Sequence, residues 1–62
     1  MCEANVYIDR DGVEELIMEN VDVLEPQAGK LFIRSIFGEQ KILPNRIKHI
    51  SLVNHKIILE EK

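Results

Sequence analysis

A small all-β domain, a barrel of five or six short strands, is the fold this sequence predicts. Apolar and polar residues alternate over short stretches, and turn-forming residues punctuate the chain between them. No segment sustains a helical period convincingly. Residues 1–62 read as one domain, with no internal repeat, linker or low-complexity segment.

The first strand is "ANVYID", where Ala4, Val6 and Ile8 alternate with Asn5, Tyr7 and Asp9. "RDG" follows, and Asp-Gly is a strong signal for a tight hairpin turn. In "VEELIMENVDVLEP" the spacing of Val13, Leu16 and Ile17 could also be helical. The β-branched residues and the preceding hairpin turn favour a strand instead. "PQAGK" is a turn, and "KLFIRSIFG" is the most strand-like run, ending at Gly38. "EQKIL" runs to Pro44, which lacks a ladder donor and so marks a strand end or edge. "PNRI" is expected to form a single tight helical turn before "KHISLV", and "NHK" to separate the two strands of a closing hairpin, "ISLV" and "KIILEE". The expected core is Val6, Ile8, Val13, Leu16, Val23, Leu31, Ile33, Ile36, Ile50, Leu52, Ile57 and Leu59. This pattern suits a small Greek-key or SH3-like barrel.

At this length a chain buries only roughly 60% of the surface that its unfolded form exposes. Small scaffolds therefore draw on disulfides, metals or oligomerisation. The single cysteine, Cys2, cannot make an internal disulfide, which leaves a metal or a second subunit. A lone thiol suits a reducing cytoplasm. No apolar run approaches a membrane span, and no signal peptide is expected before the polar "MCEAN".

Chemistry-bearing motifs are scarce. The chain has no Gly-rich phosphate loop, GxSxG, HExxH or CxxC, so an enzyme is not expected. Glu14, Glu15, Glu19, Asp22 and Glu25 read as a solvated acidic face. The net charge of −3 disfavours nucleic acid as a partner. Lys30, Arg34, Lys41, Arg46 and Lys48 nevertheless interleave with Phe32 and Phe37, and an RNA-binding β-barrel is the alternative reading. Both phenylalanines lie among Leu31, Ile33 and Ile36, which assigns them to core packing. His49 and His55 have ordinary readings as a half-buried strand residue and a turn residue.

Cys2 stands apart because it lies beside the α-amine. The Met1 amine, the Cys2 amide nitrogen and the Cys2 sulfur are successive donors that can close two fused chelate rings around one ion. Their amine and thiol ordinarily titrate near ~7.7–8.0 and ~8.5, so metal must displace protons and affinity should rise with pH. Planar nitrogen and thiolate donors suit Ni(II) or Cu(II) better than Zn(II). Taken alone, a cysteine at the second position is a weak signal and can be incidental. This donor set also leaves a square-planar ion short of a ligand. A two-fold axis near the N-termini would bring a second Cys2 to it.

The start "MCEANVYI", the middle "IFGEQK" and the close "ISLVNHKIILEE", in this order and length, resemble the CooT family. These small proteins are linked to nickel supply for carbon monoxide dehydrogenase. The resemblance implies an SH3-like fold, a homodimer and Ni(II) bound through Cys2, with the Met1 amine beside it. It further implies a cytoplasmic accessory protein that acts as a nickel chaperone or delivery protein. Its partner would be carbon monoxide dehydrogenase or its nickel-insertion machinery. Some members of the family also carry an RNA-binding label, which fits the barrel better than it fits these charges.

Overall fold

The computed structural model describes residues 3–61. Six strands follow in chain order: β1 (Ala4–Arg10), β2 (Val13–Gln27), β3 (Lys30–Ser35), β4 (Gln40–Leu43), β5 (Arg46–Ser51) and β6 (Lys56–Glu60). They form one sheet in the order β4-β3-β2-β1-β6-β5. All neighbours are antiparallel except β1 and β6, which run parallel. The expected all-β, SH3-like architecture is present, with two differences. The sheet curls without closing, and β2, at 15 residues, is not short.

The length of β2 is what lets a single sheet enclose a core. Its first part pairs with β1 and its second with β3, and the change of partner falls at Val21. Register shifts lie at Ala4/Val6 and Val6/Tyr7 in β1, and at Val21/Val23 in β2. Asn20 has φ 56, a left-handed conformation that Asn tolerates better than most residues. Such irregularities bend a strand and increase its twist. The sheet therefore folds over a cluster of Val6, Ile8, Met18, Val21, Leu31, Ile33 and Leu59, with Ile58 also buried. Ile17, Leu24, Leu43, Ile47 and Ile57 pack against it.

Several expected core residues lie elsewhere. Val13 and Leu16 are exposed, and Leu16 sits opposite Tyr7 on the outer face. The irregular stretch around Asn20 places Met18 and Val21 inside, three residues apart, which a strict two-residue alternation cannot do for both. Val23 is only half-buried. In β5 a register shift between Ile47 and His49 leaves Ile47 against the core and Ile50 exposed.

Ile36 and Leu52 leave their strands at a serine. Ser35 Oγ accepts hydrogen bonds from the N–H groups of Phe37 and Glu39, both at 3.2 Å, which turns the chain out of the sheet. Ser51 Oγ likewise accepts from the Asn54 N–H at 3.3 Å, and the turn covers residues 52–55, not 54–56. Hydroxyl-to-backbone bonds of this kind compete with strand pairing. Phe37, expected in the core, is exposed for the same reason. The helical turn expected at "PNRI" is a bend at Pro44 that runs directly into β5. Asn45 Nδ2 donates to the Glu60 carbonyl at 2.8 Å, holding the link extended beside β6.

Candidate metal centre

Cys2 and Met1, the metal donors expected from the sequence, lie outside the described residues. What the structure gives is the platform on which that segment begins. Asn5 donates its backbone N–H to the His55 carbonyl at 2.9 Å, tying the start of β1 to the β5–β6 turn. The Asn5 side-chain oxygen accepts from the Asn20 N–H at 3.2 Å. Asn20 in turn accepts at its carbonyl from the Ile36 N–H at 2.9 Å. A continuous relay thus joins the turn after β3, the bend in β2, the start of β1 and the turn after β5.

This relay sets two similar turns beside the origin of β1. In each, a serine is followed by two large apolar residues, Ile36–Phe37 in one and Leu52–Val53 in the other. Phe37, Leu52 and Val53 are 78%, 83% and 90% exposed, so each of the two turns presents large apolar side chains to water. Phe37 and Leu52, expected inside from the alternation, and Val53 beside them all lie outside the core. The signal was the "S-I-F-G" and "S-L-V-N" pattern, since a serine hydroxyl before a turn can draw the next residues out of a strand.

Among the described residues, no three His, Cys, Asp or Glu side chains are grouped so as to hold a metal ion. His49 is exposed on β5, and His55 sits at φ 53 in the turn. The structure does not bring the two imidazoles together in any such group. A depression of about 630 Å³ lies at the opposite end of the sheet, between Asp9, Asp11, Gly12, Lys48, Glu60 and Glu61. There Lys48 pairs with Asp9, and the Gly12 N–H donates to the same carboxylate at 2.9 Å. The hydrogen bond from Lys48, then that from Gly12, holds the Asp9 carboxyl below its ordinary range. The same pairing raises the Lys48 ammonium.

The basic residues of the RNA-binding reading are largely matched by carboxylates. Arg34 lies 3.8 Å from Asp22, Lys41 lies 3.9 Å from Glu39, and Lys48 pairs with Asp9. The acidic residues of β2 are exposed as expected, and Glu14 holds Lys56 at 2.6 Å. That bond raises the Lys56 ammonium, which also lies 4.9 Å from the centre of the Tyr7 ring. Tyr7, the only tyrosine, is thus half-buried beneath a lysine and does not serve as an open stacking surface. Among the described residues, no helix is long and apolar enough to cross a membrane.

Comparison with known proteins bears on the whole chain. The family model described as CO dehydrogenase accessory protein CooT matches residues 1–60. An uncharacterized protein of Methanocaldococcus jannaschii is 35% identical over 60 residues, covering 97% of this chain and 98% of its own. The crystal structure of a CooT candidate from Carboxydothermus hydrogenoformans is similar with a TM-score of 0.92 and 41% identity, over 98% of each chain.

Proposed function

Since this chain belongs to the CooT family of CO dehydrogenase accessory proteins, we propose that it carries Ni(II) to a carbon monoxide dehydrogenase or its nickel-insertion machinery. The cargo is held by the Cys2 thiolate with the Met1 amine and the intervening amide nitrogen. The observation that carries this reading is the family match across residues 1–60, a span that includes the cysteine. The described residues offer no competing group of metal-binding side chains. The donors themselves fit the ion, because thiolate and planar nitrogen ligands suit Ni(II).

The same reading makes the protein a cytoplasmic homodimer and not an enzyme. The two apolar turns support the dimer, since burying Phe37, Leu52 and Val53 against a second copy removes them from water. Three peptide units separate Cys2 from Asn5, so their Cα atoms lie within roughly 11 Å of each other. A two-fold contact at this end would bring two Cys2 thiolates towards one ion and complete its coordination.

Reconstitution tests the function. Nickel-free carbon monoxide dehydrogenase is mixed with the nickel-loaded protein in the presence of a chelator that captures free nickel. Activation by the loaded wild-type protein, and none by Cys2→Ser treated alike, is the expected result. Equal activation by both forms would contradict delivery through Cys2.

A further inference from the structure

The end of the sheet away from Asn5 and His55 carries three features that the nickel reading does not use. The strand order leaves β5 at an edge, with one side of its backbone unpaired. An unpaired edge is a ready template for another extended chain. Beside the start of β5, a groove of about 330 Å³ is lined by Pro26, Ala28, Leu31 and Ile47 together with Lys30 and Arg46. Lastly, Lys30 and Arg46 form no ion pair among the described residues, whereas Arg10, Arg34, Lys41, Lys48 and Lys56 each do. Glu60 is the cross-strand neighbour of Arg46 and, with Glu61, lines the adjoining depression, yet neither forms an ion pair with it.

We propose that the groove between the β2–β3 turn and the start of β5 accepts an extended segment of a partner protein, with apolar residues flanked by carboxylates. The segment adds to β5 through backbone hydrogen bonds, the way a peptide joins an exposed sheet edge. An apolar side chain enters the groove against Leu31 and Ile47, and its flanking carboxylates meet Lys30 and Arg46. Charge complementarity selects the occupant. A protein of net charge −3 keeps two cations free at the mouth of an apolar groove, and these favour an acidic chain over a basic one.

The probe is acetyl-Glu-Val-Leu-Val-Glu-amide, titrated into the intact isotope-labelled protein and followed by amide shifts and hydrogen exchange. Shifts should gather at residues 26–31 and 45–51, with slowed exchange along β5. The counterpart peptide with lysine in place of both glutamates should bind more weakly. The double variant Lys30→Glu/Arg46→Glu should lower affinity for the acidic peptide by roughly tenfold, as reversal of two exposed charge contacts allows. Added salt should weaken binding in the wild type. Equal binding of the two peptides would overturn the proposal, as would shifts gathered at Phe37 and Val53, or no binding. Concentration-dependent protection of β5 without peptide would assign the edge to a second copy of the chain and equally overturn it.

Discussion

Asn5 and Asn20 are coupled side chain to backbone: Asn5 Oδ1 accepts the Asn20 N–H at 3.2 Å, just where β2 takes its left-handed step. Through this bond the start of β1 fixes the bend that sends β2 from one partner strand to the next. Asn5→Ala leaves the Asn20 N–H without its acceptor in a half-buried site. A loss of about 1 kcal/mol of stability is expected in urea unfolding. Increased amide exchange at Asn20 and Ile36 should accompany it, because both belong to the same relay.

Turn chemistry supplies a second expectation. Ala28 and Gly29 both have positive φ, as do Asp11 and Gly12 in the first hairpin. Such a two-residue turn favours Asn or Asp before Gly, and alanine there holds a conformation that costs an L-residue about 1–2 kcal/mol. Ala28→Asn should therefore stabilise the protein, by a fraction of that cost, measured by thermal unfolding. Ala28→Val should destabilise it.

Asp9 and Lys48 set a pH window. The carboxyl is held below its ordinary value of 3.8, so its stabilising contribution is complete above that value and is lost as pH falls through the folded midpoint. The ammonium is raised above 10.5, so its contribution is complete below that value and is lost as pH climbs through the raised midpoint. Between these limits the pair adds no pH dependence. In Lys48→Met, a carboxyl titration followed by NMR should show the Asp9 midpoint moved up towards its ordinary range.

Strand identity was legible from local pattern, and side-chain facing was legible only where the strands run without bulges. Asp11–Gly12 announced the first hairpin, and Val6, Ile8, Leu31, Ile33 and Leu59 reached the core in the expected phase. The failures cluster where long-range pairing shifts the register, at Val21/Val23 and Ile47/His49, and where Ser35 and Ser51 divert the chain. A bulge reverses every later side chain without altering composition. For the candidate site, the sequence singled out Cys2, while the backbone ties from Asn5 to His55 and from Ile36 to Asn20, which join two apolar turns to β1 and β2, depend on long-range pairing.

The homodimer proposed above should depend on the turns that carry Phe37 and Val53. Phe37→Ser with Val53→Ser removes exposed apolar surface and disturbs little of the core. Mass in solution, measured by light scattering, should fall from dimer towards monomer. A variant that remains fully dimeric would place the subunit contact elsewhere.

The central claim, that Cys2 and the chain's own amine hold Ni(II), is tested most directly by nickel titration of the intact protein followed by thiolate-to-metal charge-transfer absorption. The band should appear near neutral pH and fade on acidification as the donors recover protons. It should be lost in Cys2→Ser and weakened when residues are added before Met1. An undiminished band in Cys2→Ser, or no nickel binding by the wild-type protein, would contradict the account.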